Sequence, residues 1–206
     1  MIAIIDYDAG NIKSVEKVFE FLGQKVAVTR DRSTILQADG VVLPGVGAFG
    51  DAMQKLCDYD LADTIIKAAK DKIPFLGICL GLQLLFESSE ESPGVDGLGI
   101  LKGRIVRIPD SAGIRVPHIG WNSLTYPSEG RLFWDISENA YVYFVHSYYL
   151  QAEDPDVVKA VTEYGACIHA SVEQENVFAC QFHPEKSSAV GMQILRNFIS
   201  VVRGGV

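Results

Sequence analysis

Ile73-Pro-Phe-Leu-Gly-Ile-Cys-Leu-Gly-Leu-Gln-Leu-Leu-Phe86 is the stretch from which the fold can be read. Pro74 to Ile78 is a short apolar run of the kind a parallel strand, covered on both faces, requires. From Leu80 onward, Leu80, Leu84 and Leu85 recur at helical spacing, so a helix is expected there, with Gln83 as a polar position. The junction, Gly77-Ile-Cys-Leu-Gly81, holds a cysteine with a glycine two residues away on each side. That spacing matches a nucleophile elbow, where the reactive side chain sits on a strained turn and glycines let neighbouring backbone approach. A thiol at a helix start faces free N–H groups and the positive end of the macrodipole, both of which favour thiolate. The amide of Leu80 would then point at a developing oxyanion. The alternative is that Cys79 is a small buried hydrophobe at a tight turn.

Outward from the elbow, strands alternate with helices. Ile2 to Ile5, Lys25 to Thr29 and Gly40 to Leu43 are expected strands. A helix is expected from Ile12 to Leu22, its face marked by Val15, Val18, Phe19 and Leu22, with Gly23 as the C-terminal cap. Asp31 to Ala38 is a short helix or turn, and one or two helices lie between Asp51 and Asp71. This alternation predicts an α/β fold, an open, mostly parallel twisted sheet flanked by helices. Asp6 to Asn11 is expected to be a turn with an N-cap, an anion site at the helix start being the alternative. Pro44-Gly-Val-Gly-Ala-Phe-Gly50 follows the third strand at a carboxyl end, where such sheets bind ligands. Its glycines allow N–H groups to turn inward as a second arm of an oxyanion hole, or they make a plain turn. The third glycine of a dinucleotide fingerprint is missing.

From Gly103 the pattern changes to short extended runs: Arg104 to Ile108, Gly120 to Leu124, Tyr141 to Val145, Val158 to Val161, Cys167 to Val172 and Val177 to Gln181. Added antiparallel strands continuing the sheet are expected. Glu91 is close enough in sequence to Gln83 to share a pocket with it. His146, Ser147 and Tyr148 end an aromatic-rich strand with donors suited to a polar small molecule, the tyrosines being equally suited to core packing. Trp121, in Pro117-His-Ile-Gly-Trp-Asn122, is either core or an interface anchor.

A nucleophile needs a base. Val177 to Phe182 is a β-rich run ending in His183-Pro-Glu185, and Pro184 marks a strand end. In extended backbone, residues two apart share a side, so Glu185 can lie along His183 and fix its tautomer. Of the four histidines, His183 alone has an acidic residue two positions on. Ser188 is expected to cap a last helix.

The whole chain bounds these readings. Its 206 residues fit one domain, residues 1–206, with a substantial core. A net charge of −8 disfavours nucleic-acid binding. No apolar run is long enough to span a membrane, and no basic segment precedes an apolar one as in a secretion signal. The four cysteines lack close C-x-x-C spacing, which argues against a zinc ribbon or redox pair and for a reduced, cytoplasmic setting. No metal and no cofactor are expected.

Gly77-Ile-Cys-Leu-Gly-Leu-Gln83 with Gln181-Phe-His-Pro-Glu185 resembles the signature of the class I (triad) glutamine amidotransferases, over nearly the whole chain and in the same order. Asp6 to Asn11, Pro44 to Phe49, Pro117 to Asn122, Phe144 to Tyr148 and His183 to Ser187 resemble the imidazole glycerol phosphate synthase branch. Leu82 departs from the histidine usual in anthranilate synthase glutaminases, and pyridoxal phosphate synthase glutaminases carry a different oxyanion loop. The resemblance implies that Cys79 attacks the carboxamide of L-glutamine, that His183 shuttles the proton and that Glu185 orients His183. It further implies an oxyanion hole of Leu80 N–H with an amide at Val46 or Gly47, and glutamine held by Gln83, Glu91, Ser147 and Tyr148. The implied partner is a (β/α)8-barrel cyclase in a heterodimer that serves histidine synthesis. His118, Trp121, Asn122 and Lys186 are the residues expected to face it. The alternatives are a glutaminase of another class I type, a different elbow-cysteine hydrolase, or a non-catalytic flavodoxin-like binding module.

Overall fold

The computed structural model describes residues 1–111 and 113–205. Five strands form the parallel part of the main sheet: β1 (Ile2–Ile5), β2 (Val26–Thr29), β3 (Gly40–Gly45), β4 (Phe75–Cys79) and, from far along the chain, β12 (Val177–Cys180). Residues along β1 and β3 alternate between two cores. Ala3, Ile5, Val41 and Leu43 join the apolar cluster under α2 (Arg32–Leu36), α3 (Phe49–Asp58) and α4 (Ala62–Lys70). Ile2, Ile4 and Val42 join the one under α1 (Ile12–Phe21) and α6 (Ser188–Val202). With helices on both faces, every residue of these strands is apolar or glycine and buried, hence the unbroken apolar runs.

The remaining strands are β5 (Ser88–Ser89), β6 (Gly103–Arg107), β7 (His118–Ser123), β8 (Tyr141–His146), β9 (Tyr148–Ala152), β10 (Val158–Glu163) and β11 (Cys167–Gln174). The main sheet runs β2-β1-β3-β4-β12-β11-β9-β6-β5, with β10 paired to β11 off this path. Antiparallel pairing joins β12, β11, β9 and β6, so the added antiparallel strands expected from the short extended runs after Gly103 are present beside the parallel ones.

Three expectations change. The Gly120 and Tyr141 runs do not continue the sheet but pair with each other, as the separate ribbon β7–β8. β12 is parallel to β4 and lies beside it, because the tight β11–β12 hairpin turns at Glu175 (φ 52°) and inserts the returning strand there. Asn176 fastens this turn, its amide donating to Ala69 O at 3.0 Å and Ile73 O at 2.7 Å. Ser188 does not cap α6. Ser187 holds that position, and its hydroxyl donates to His183 O at 2.7 Å and accepts from Tyr143 N at 3.0 Å.

Candidate active site

The carboxyl ends of β3, β4 and β12 lie side by side, with Gly45 opposite Cys79 and Cys180 opposite Ile78. Side chains just past these ends therefore converge. Cys79 has φ 56° and ψ −109°, a strained conformation for a residue with a side chain. The flanking glycines make that turn possible. A Cβ on Gly81 would lie 1.9 Å from Leu43 O, and one on Gly77 would lie 2.8 Å from Gly81 O. The helix after the elbow, α5 (Leu80–Leu84), is shorter than expected from the leucine spacing. A single turn offers local N–H groups rather than a sizeable macrodipole, so side chains must supply most of the field at the sulfur.

His183 supplies part of it. Its Nδ1 lies 2.8 Å from Glu185 Oε1, and the two side chains are only 2% and 1% exposed. The pairing arises differently from the extended geometry expected of the sequence. His183 precedes a 3₁₀ turn, Pro184–Lys186, that curls the carboxylate back onto the ring. Burial by itself would lower the His183 pKa, but hydrogen bonding to Cys79 and Glu185, with their charges, outweighs it and raises the pKa to about 9. Nε2 is buried with no hydrogen-bond partner, and the Cys79 thiol itself lies 3.9 Å from Val145 O.

Cys79 and His183 share a cleft of about 410 Å³, within the range of small-molecule sites. Val46, Gly47, Leu80, Gln83, Glu91, Ser147, Tyr148 and Lys186 line it with them. Gly47 takes φ 101°, which glycine alone adopts readily. Glu91 has one oxygen committed, since Oε2 accepts from Phe49 N at 2.8 Å and ties the loop after β3 to the cleft wall. Gln83 turns its amide nitrogen inward, to Tyr148 O and Gln181 Oε1, each at 3.0 Å.

Of the residues expected to face a partner, Trp121 is 49% exposed and Lys186 lies at the cleft. The structure buries His118 instead and leaves Asn122 half-buried, on the side of the strand opposite Trp121. His118 is 3% exposed and stacked on Tyr164 and Phe144, and the Asn122 amide donates to Glu163 O. Strand alternation is the reason: with Ile119 and Trp121 outward, residues 118, 120 and 122 must point the other way. Asp6 and Asp8 do not form an anion site either, as both carboxylates hold Arg30. Asn11 makes no side-chain cap bond to α1.

The glutamine amidotransferase class-I family model matches residues 3–202. The chain belongs to the class I glutamine amidotransferases. Among its relatives, imidazole glycerol phosphate synthase subunit HisH of Methanothermobacter thermautotrophicus is 49% identical over 98% of this chain and 100% of its own. The protein of the same name from Moorella thermoacetica is 50% identical over 98% of this chain and 95% of its own. A crystal structure titled as a glutamine amidotransferase superposes with a TM-score of 0.76 at 18% identity, covering 98% of this chain and 100% of that one. At such low identity the last likeness concerns the fold.

Within this class I amidotransferase, three residues near the sulfur lie inside the quoted motifs but were given no catalytic role there. Tyr7 is fully buried and donates to Pro44 O at 2.8 Å, bracing the carboxyl end of β3; burial, then the nearby Cys79, push its pKa up and keep it a donor. Gln181 sends its amide nitrogen to Cys79 Sγ at 3.7 Å. His146 lines the cleft. For Gln181, a polar residue directly after an apolar run was the available signal. For Tyr7 only the resemblance of the Asp6 to Asn11 stretch was available, because a tyrosine after a strand is ordinary.

Proposed function

We infer that this chain is the glutaminase subunit of an imidazole glycerol phosphate synthase. It hydrolyses L-glutamine to glutamate and delivers the ammonia to a cyclase partner, in histidine biosynthesis. Near-50% identity along almost the full length of two synthase subunits supports the assignment. In the reaction we propose, Cys79 Sγ attacks the side-chain carboxamide carbon of glutamine. N–H groups of Leu80 and of Val46 or Gly47 receive the negative oxygen of the tetrahedral intermediate. The His183 imidazolium protonates the departing nitrogen, which leaves as ammonia, and a γ-glutamyl thioester remains on Cys79. His183, now neutral and held in one tautomer by Glu185, takes a proton from water, and hydroxide attack releases glutamate. Gln83, Ser147, Tyr148 and the free oxygen of Glu91 would hold the amino-acid end, the carboxylate facing the ammonium.

The observation that carries this reading is the His183–Glu185 pair at 2.8 Å, opening onto the same cleft as a strained Cys79.

Ammonia released into water would be protonated and lose its nucleophilicity, so the cleft must empty into a covering partner. We take that partner to be a (β/α)8-barrel cyclase, joined as a heterodimer. The exposed face of the β7–β8 ribbon, with Ile119, Trp121 and Tyr141, and exposed Val46 at the cleft mouth suit such a cover. One domain, residues 1–206, and a reducing cytoplasmic location belong to the same proposal, the latter supported by four free thiols. Among the described residues, no helix is long and apolar enough to cross a membrane.

The test adds a glutamine-like electrophile to the wild-type chain and to Cys79→Ala, with turnover measured beside purified cyclase and its nucleotide ligand. Stoichiometric labelling of Cys79, blocked by glutamine, and turnover lost in the variant are expected. Ammonia release that survives Cys79→Ala would overturn the assignment of the nucleophile.

A further inference from the structure

A buried line of polar side chains leads to the sulfur independently of His183. The carbonyl of Tyr148 accepts from Gln83 Nε2 at 3.0 Å and from His146 Nδ1 at 2.9 Å. Gln83 Nε2 also reaches Gln181 Oε1 at 3.0 Å, and Gln181 Nε2 lies 3.7 Å from Cys79 Sγ. On the other branch, His146 Nε2 meets His118 Nδ1 at 3.1 Å, under the exposed ribbon.

The direction of every bond follows from one atom. A backbone carbonyl can only accept. The Gln83 atom facing it is therefore the amide nitrogen, and its second hydrogen goes to Gln181. Gln181 must then present oxygen to Gln83, which leaves its own nitrogen facing the sulfur. By the same logic His146 carries its proton on Nδ1, accepts at Nε2, and makes His118 the donor on the ribbon side. Gln181 and Gln83 are 0% and 5% exposed, so water does not compete for these bonds.

We propose that Gln181 is a further catalytic residue, which donates a side-chain N–H to the Cys79 sulfur and holds it as thiolate, its amide oriented from the Tyr148 carbonyl through Gln83. This rests on Cys79 being the nucleophile. It supplies what the single turn of α5 cannot, a fixed donor aimed at the sulfur in a water-poor site, where a bond to a charged acceptor is worth more than a neutral one. The other ionisable groups around the sulfur are common to all the variants: the His183–Glu185 pair, Glu91, His146 and Lys186 around the cleft, and the buried Tyr7 and Cys180.

The experiment is the pH dependence of iodoacetamide alkylation at Cys79, resolved by peptide mass because Cys57 and Cys167 are exposed. Wild type, Gln181→Met, Gln181→Glu and Gln83→Leu are compared, with thermal unfolding as the check on folding. Gln181→Met should raise the alkylation midpoint by about one pH unit and slow the reaction about tenfold at pH 6. Gln181→Glu, which sets a carboxylate against the sulfur, should raise it further. Gln83→Leu frees the Gln181 amide to rotate and should fall between wild type and Gln181→Met. A folded Gln181→Met or Gln181→Glu with the wild-type midpoint would overturn the proposal. A wild-type Cys79 that reacts no faster than a free cysteine would instead overturn the nucleophile reading on which it rests.

Discussion

Glu185→Gln removes one charge and keeps the shape, which makes it the sharpest probe of the candidate triad. His183 is held at about 9 against burial, where an unperturbed histidine titrates at 6.5. That rise corresponds to about 3 kcal/mol in favour of the imidazolium, shared between Cys79 and Glu185. With the carboxylate's share removed, the variant loses on the order of 2 kcal/mol, and the histidine falls by more than one pH unit. Because the folded pKa lies above the unfolded one, the stabilisation is complete below pH 6.5 and is lost as pH rises through about 9. Wild-type stability should therefore decline across that window, and the variant's decline should be smaller and end at lower pH. Turnover needs the imidazolium to protonate the leaving nitrogen, so the alkaline limb of kcat should move toward neutrality in the variant. Its maximum should drop ~100-fold or more, since a glutamine can turn its NH2 group toward the ring and disfavour the useful tautomer. The assays are glutamate formation from pH 6 to 10 in the presence of cyclase, and urea midpoints over the same range. An unmoved alkaline limb with turnover within about threefold of wild type would refute the reasoning.

Other expectations follow from single residues. Gly81→Ala forces a Cβ to 1.9 Å from the Leu43 carbonyl, in backbone that cannot give way. A loss of at least ~2 kcal/mol, seen as a drop of about 4 °C or more in thermal midpoint, is expected, with Cys79 alkylation slowed as the elbow shifts. Burial lowers the His118 pKa to about 4, and burial, followed by the proximity of other histidines, takes His146 to about 3 despite its bond to Tyr148 O. Depressed folded values mean that stability is lost as pH falls below 6.5, by up to about 1.4 kcal/mol per pH unit for each histidine. His118→Phe should flatten that acid limb in denaturant titrations. Trp121→Ala should weaken cyclase binding by ~30-fold or more in calorimetry while leaving the thermal midpoint of the isolated chain nearly unchanged, because the side chain is 49% exposed.

How much of this was legible differs from residue to residue. The elbow could be read directly because its determinants are neighbours in the chain: a buried strand, a cysteine, and glycines placed where any Cβ would strike Leu43 or Gly81. The His183–Glu185 contact was legible as a pair, but its route was not. A 3₁₀ turn at Pro184–Lys186, not strand alternation, brings the groups together. His118 and Asn122 were placed at the partner face by resemblance, yet their orientation depends on which residue of β7 turns outward. That is settled by pairing with β8 and packing under Tyr164. Gln83 was legible as a polar residue of the cleft, but not the engagement of its nitrogen with Tyr148 and Gln181, residues 65 and 98 positions away.

The sequence by itself determined the strained cysteine, the alternating α/β scaffold and the histidine with its acidic neighbour, since each depends on local spacing and local sterics. Only the tertiary structure decided that β12 lies next to β4 in parallel, and so that Cys79, Gln181 and His183 meet at all. A strand buried on both faces carries the same apolar pattern whichever neighbour it pairs with and in whichever direction. Its place in the sheet is set by the hairpin at Glu175 and by packing across the whole core, which no short stretch of residues records.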